Sequence, residues 1–134
     1  MTPIPIVFIA DNNYVQPTGA AINSLIKNKY DTTRYEINII AAHITADNVE
    51  RFKQFNSSDV KINIIDFDNS HLKKFNEPGY YVSCAGLLKF EIADLFPEHE
   101  KILYLDSDLL ILHDLSELYN TDLKDTYVGA VRDI

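Results

Sequence analysis

The chain has 134 residues, 46% of them hydrophobic, which suits one domain with a real core and is too short for two ordinary ones. It carries 20 Asp and Glu against 12 Lys and Arg, and the basic residues are scattered rather than gathered into a stripe, which argues against a nucleic-acid or anionic-membrane binder. Cys84 is the single cysteine, so no internal disulfide, Cys/His zinc cluster or redox Cys pair can be written, and a cytosolic setting is favoured.

The N-terminal stretch MTPIPIVFIADNN has no cationic region, and its apolar run ends at Asp11, far short of a signal peptide or membrane span. Ile4 to Ala10 is rich in β-branched residues and reads as a first strand that stops at the turn formers Asp11-Asn12-Asn13. From about Gln16 to Lys27, Ala20 or Ala21, Ile22, Leu25 and Ile26 share one helical face, with Pro17 tolerated near the start. Strand, polar loop and helix form the first half of a βαβ unit, and backbone N–H groups of the loop are candidates for holding an anion.

Tyr35 to Ala42 reads as a second strand and Ala46 to Phe55 as a helix, with Thr45 as its N-cap and Val49, Phe52 and Phe55 at helical spacing. Val60 to Phe67 is a third strand. Strands alternating with helices predict an α/β fold with a mainly parallel sheet, of the doubly wound, nucleotide-binding kind. Asn69 to Tyr81 reads as an irregular connection or a lid, and Ser83 as the cap of a helix over Cys84 to Phe96 whose apolar side is Leu87, Leu88, Ile92 and Leu95.

The stretch KILYLDSDLLIL, Lys101 to Leu112, is the part around which the chain is organised. Ile102 to Leu105 reads as a buried strand ending at Asp106 and Asp108, with apolar residues resuming afterwards. Two carboxylates so flanked are costly to bury as anions unless a cation meets them, and hard oxygen ligands suit Mg²⁺ or Mn²⁺. Asp-Ser-Asp is also good turn chemistry, and both readings stand at this level. The context favours a ligand site, because open parallel sheets gather ligands outside the carboxyl ends of their strands.

Asp11, Asn13 and Tyr14, at the end of the first strand, are candidates for a nucleotide base: an aromatic face to stack, and an acceptor and donor for a uracil edge. An ordinary turn accounts for the same spacing. His113 follows the LLIL run and reads as a strand-end residue, and Asp114 as the N-cap of a short helix over Leu115 to Asn120. Thr126 to Val131 is a final strand ending at Arg132-Asp133.

FIADNNY, LLKFEIADLFPEHEKILYLDSDLLI and YVGAVRD, in this order, resemble glycosyltransferase family 8, which includes bacterial lipopolysaccharide galactosyl- and glucosyltransferases and is related to glycogenin. The likeness covers essentially the whole chain. It implies a GT-A (Rossmann-like) three-layer sandwich with a mainly parallel sheet, in which the Asp-x-Asp motif binds Mn²⁺ (or Mg²⁺) together with the UDP diphosphate. A hexose then moves from UDP-hexose to a glycan acceptor with retention of configuration.

By that resemblance Asp106 and Asp108 are the metal ligands, Ser107 belongs to the nucleotide site, and Ala10, Asp11, Asn13 and Tyr14 fall on the uridine-binding block. Asp133 falls on an acid near the sugar site. Lys89 falls where the family commonly has Arg, keeping the charge and losing the bidentate fork. Family members continue for roughly as much chain again, with sugar-holding Asn, Asp and Gln residues and a His that completes the metal site. Residues 1–134 are therefore expected to be the nucleotide-sugar-binding part of a GT-A domain, with the catalytic residue not identifiable.

The resemblance also implies lipopolysaccharide biosynthesis and a cytoplasmic protein, with room for peripheral association at the inner face of the cell membrane. An apolar face left for the remaining half to dock on would offer a route to oligomers. Two other classes stay open: a non-catalytic UDP-sugar-binding or interaction module, and a haloacid-dehalogenase-type phosphatase with an Asp nucleophile. The late position of the motif and Leu110 after it speak against the phosphatase.

Overall fold

The structure, a computed structural model, describes residues 2–67 and 87–130. In chain order it forms β1 (Ile4–Asp11), a 3-10 turn (Asn12–Tyr14), α1 (Val15–Asn28), β2 (Tyr35–Ala42), α2 (Ala46–Lys53) and β3 (Val60–Asp66). A 3-10 turn (Leu88–Glu91) leads into α3 (Ile92–Leu95), followed by β4 (Leu103–Tyr104) and α4 (Ser116–Tyr119). The strands make a four-stranded, all-parallel sheet in the order β3-β2-β1-β4.

The alternation of side chains along a strand divides β1 between two cores. Ile4, Ile6, Phe8 and Ala10 face the side covered by Val15, Ala21, Ile22 and Leu25 of α1 and Phe52 of α2. Val7 and Ile9 face the opposite side, covered by Leu88, Phe96 and the partly buried Leu87, Ile92 and Leu95. A strand buried on both faces must be apolar throughout, which is why IPIVFIA reads as a continuous run. Each fully buried Ile or Phe contributes about 1.5–3 kcal/mol relative to exposure. The result is three layers, with helices on both faces of the sheet.

β1 to β3 step outward in one direction, and β4 pairs with the other edge of β1 through Ile6↔Leu103 and Val7↔Tyr104. The strand order therefore reverses between β1 and β4, and the crevice at the carboxyl ends of this pair is where such sheets take ligands. Asp11 closes β1 and Asp106 follows β4, so both acids lie at the carboxyl end of this neighbouring pair of strands.

Several expectations need correction. The strand over residues 102–105 is only Leu103–Tyr104. The helix expected from Cys84 is described from Leu87 onward, as a 3-10 turn and one short α-helix. Residues 126–130 form no strand; Tyr127 is 102% exposed and Val128 75%. Strand-like composition there meets no neighbouring strand, among the described residues, to complete its backbone bonds. Leu110 and Leu112, in the apolar run after the acids, also stand in solvent, while Ile111 between them is buried. Ser83, Cys84, the stretch from Asn69 to Tyr81 and Asp133 lie outside the described residues. No helix among the described residues is long and apolar enough to cross a membrane.

Candidate functional site

The end of β1 combines turn and site. Asp11 Oδ1 accepts hydrogen bonds from the backbone N–H groups of Asn13 (2.8 Å) and Tyr14 (3.1 Å), capping the 3-10 turn. Those two N–H groups are thus not free to hold an anion, contrary to the sequence expectation. Asp11 Oδ2 has no donor among the described residues, on a side chain that is partly exposed. Asn13 is exposed and the Tyr14 ring is 48% exposed, so both are accessible to a ligand. Ala10 is buried in the core, so only its main chain can meet one.

Asn12 serves the scaffold. Its Oδ1 accepts from the Thr45 backbone N–H (3.0 Å) and from Asn48 Nδ2 (3.2 Å), tying the loop to the start of α2. Thr45 does occupy the N-cap position, but its side chain makes no capping bond.

At the end of β4 the ladder is carried on by a side chain. Val7 O accepts from the Leu105 backbone N–H (3.0 Å), and one step further Ile9 O accepts from the Ser107 hydroxyl (2.6 Å). Ser107 is buried, and its side chain is engaged in pinning the loop to β1 rather than turned to a ligand. A short hydroxyl is needed here because it reaches the carbonyl that a strand N–H would otherwise meet. With Ser107 turned inward, Asp106 and Asp108 on either side are exposed. Their expected burial is therefore incorrect, and the argument for a cation rests instead on two carboxylates that have no ion pair among the described residues.

Tyr104, which sequence reasoning passed over as a core strand residue, belongs to this site. Its hydroxyl donates to Asp106 Oδ1 at 2.8 Å. Burial first, then the bond to Asp106 and the charges of Asp106 and Asp108, push its phenol far above the usual tyrosine range. Lys89, from the turn packed against that face, sets its ammonium 5.9 Å from the Tyr104 ring centroid, within cation–π reach. The i, i+2 spacing of Tyr104 and Asp106 in strand-like sequence was the available signal, since such residues share a face.

Downstream, the arm is braced against α1 and β2. The Ile111 N–H donates to Ser24 Oγ (2.9 Å) and Ile111 O accepts from Asn28 Nδ2 (2.8 Å). Asp114 is 9% exposed; Oδ2 accepts from the Tyr30 N–H (2.8 Å) and the Tyr35 hydroxyl (3.2 Å), and Oδ1 from the Ser116 N–H (2.8 Å). Burial alone would raise its pKa, but bonds from Ser116, Tyr30 and Thr33 outweigh it and hold the carboxyl at about 2. Burial, with the Asp114 charge beside it, pushes Tyr35 up to about 12. The N-cap position of α4 falls to Leu115 rather than to Asp114, because the helix starts only at Ser116; Asp114, one residue earlier, instead ties the start of α4 to Tyr30 and to β2.

Asp106 and Asp108 offer the hard oxygen donors that Mn²⁺ or Mg²⁺ takes, side by side at the ligand crevice. No group of three or more His, Cys, Asp and Glu able to hold a metal exists among the described residues. The pair fits a partial coordination shell, of the sort that phosphate and water oxygens complete.

A parallel α/β domain with an exposed acidic loop and an exposed aromatic where its strand order reverses has the architecture of sheets that take ligands at that crevice. Comparison with known proteins narrows it: the chain matches Glycosyl transferase family 8 over residues 5–134 and belongs to that family. It is 28% identical over 131 residues to General stress protein A of Bacillus subtilis, covering 96% of this chain and 46% of that protein. It is 29% identical over 129 residues to Glycosyltransferase GlyF of Streptococcus pneumoniae, covering 96% of this chain and 31% of that one. Among solved structures, the galactosyltransferase LgtC, in complex with donor and acceptor sugar analogs, superposes with a TM-score of 0.84 at 26% identity, over 97% of this chain and 47% of that one. The fold is GT-A, and the chain spans less than half the length of these proteins.

Proposed function

We propose that this chain is the UDP-binding part of a retaining, Mn²⁺-dependent hexosyltransferase that moves a hexose from UDP-hexose to a sugar hydroxyl. The observation that carries the reading is the Ser107 to Ile9 bond of 2.6 Å, which fixes the Asp106 and Asp108 loop to the end of the strand bearing Asp11, Asn13 and Tyr14. The residues read here as base-binding and those read as diphosphate-binding thereby follow adjacent parallel strands, which supports the reading. Membership of the family supports the transfer chemistry.

In this reading the exposed Tyr14 ring stacks on the uracil, Asp11 Oδ2 accepts from its N3–H, and Asn13 supplies a donor. Asp106 and Asp108 would hold the divalent ion, which when bound supplies Lewis-acid neutralisation of the diphosphate leaving group. The lysine at position 89, on the same side of β4, adds positive charge near the phosphates. Asp133 is assigned to the sugar end of the site by resemblance alone.

Calorimetric titration of UDP, UDP-glucose, UDP-galactose and ADP, each with Mn²⁺ and with chelator, tests this. Binding is expected for the uridine nucleotides and to strengthen with Mn²⁺. Equal affinity for ADP, or no response to metal, would refute it.

A further inference from the structure

We infer that Tyr104 is a positioning residue for Asp106: its hydroxyl holds Oδ1 and so sets the direction in which Oδ2 is presented to a divalent cation. This rests on the proposed reading of Asp106 as a metal ligand and deepens it. The two acids differ in their surroundings. Asp106 accepts a bond of 2.8 Å from the Tyr104 hydroxyl, whereas Asp108 accepts no hydrogen bond among the described residues. Asp106 is thus oriented before any ligand arrives, and Asp108 has no comparable hold among the described residues.

Tyr104 is itself fixed. Its backbone is in register with Val7 of β1, and it is partly buried against the second core. The Lys89 ammonium sits 5.9 Å from the ring centroid. A cation at that distance is attracted to the face of the ring and helps hold it in place. Carboxylates that ligate metals are commonly held by such outer partners, whose loss costs affinity because the freed side chain must be reordered on binding.

The test measures Mn²⁺ affinity at saturating UDP, by electron paramagnetic resonance of free Mn²⁺, for the unsubstituted chain, Tyr104→Phe, Asp106→Asn, Asp108→Asn and the double variants. Phe keeps the ring in the core, and the lost hydroxyl meets a solvent-accessible carboxylate, so no buried group is orphaned. Tyr104→Phe is expected to weaken Mn²⁺ by roughly 10-fold, to leave metal-free UDP affinity and thermal stability unchanged, and to add nothing in the Asp106→Asn background. In the Asp108→Asn background its cost persists. An unchanged Mn²⁺ affinity in Tyr104→Phe, or an equal loss with and without Asp106, overturns the inference while leaving the metal reading intact. Absence of Mn²⁺-enhanced UDP binding in the unsubstituted chain, or its retention in Asp106→Asn, overturns the metal reading itself and the inference with it. A second measurement needs no variant: three-bond couplings in the metal-free chain should show one χ1 rotamer for Asp106 and averaging for Asp108, and averaging at Asp106 would overturn the inference.

Discussion

Asp114 is 9% exposed and accepts hydrogen bonds from Tyr30, Tyr35 and Ser116, whereas Asp106 and Asp108 are exposed and share one protein donor among the described residues, the Tyr104 hydroxyl. The three acids lie on one arm of the chain. The first has its acceptor capacity filled by protein, and the other two keep theirs for something else. A filled carboxylate holds an arm in place, and an unfilled one is what the arm presents. β4 itself contributes only two residue pairs to the sheet, so the acidic loop is held by the Ser107 to Ile9 bond on one side and by the Asp114 brace on the other.

The comparison breaks most visibly at Asp114. Asp114→Ala removes the partner of two backbone N–H groups and a buried phenol, and should cost about 3 kcal/mol in chemical denaturation. The pH dependence follows from the sign of the shift. A carboxyl lowered from 3.8 to about 2 adds stability that is fully present above the unfolded value and is lost as pH falls through the folded one. The gap in stability between the unsubstituted chain and Asp114→Asn should therefore close between about pH 4 and pH 2; a gap that is constant over that window would contradict the assignment.

Asp106→Asn and Asp108→Asn should behave oppositely. Each is expected to reduce the Mn²⁺-dependent gain in UDP affinity by about 100-fold, close to ~3 kcal/mol, with melting temperature unchanged in chelator. Metal-free UDP binding should hold or improve, since a charge of the same sign as the diphosphate is gone. Loss of folding stability with no change in metal response would make the pair a turn and nothing more.

Tyr14→Ala should weaken UDP by about 1–2 kcal/mol, the worth of one base on one aromatic face, equally with and without Mn²⁺. A loss seen only with metal would place Tyr14 elsewhere in the site. Ser107→Ala has the smallest expected effect, about 1 kcal/mol of stability for one hydrogen bond, accompanied by a several-fold loss of Mn²⁺-dependent binding as the loop loosens. Stability loss without any binding change would detach the loop from the strand that positions it.

The fold was largely legible because two periodicities carry it. Ile4 to Ala10 is an apolar run that only a strand covered on both faces accommodates, and α1 shows its buried stripe at Ala21, Ile22 and Leu25. Residues 126–130 misled for the same reason: composition favours a strand, but a strand exists only where a neighbour supplies the bonds. At the site, sequence named Asp106, Asp108, Asp11 and Tyr14 from residue chemistry at strand ends. It misjudged the burial of Asp106 and Asp108 and missed Tyr104, whose ring looks like core and whose hydroxyl is not.

What the sequence determined by itself was the order of strands and helices, the apolar faces they bury, the acids at the carboxyl ends of β1 and β4, and the family. These follow from local patterns and from residue types at fixed spacing. Only the tertiary structure decided which polar groups are filled. Ser107 turns inward because Ile9 O lies one ladder step beyond Val7, and Asp114 is engaged because Tyr30 and Tyr35 converge on it from two other elements. Hydrogen-bond partners distant in sequence leave no periodic trace, so the distinction between a bracing carboxylate and a presented one appears only when the chain is folded.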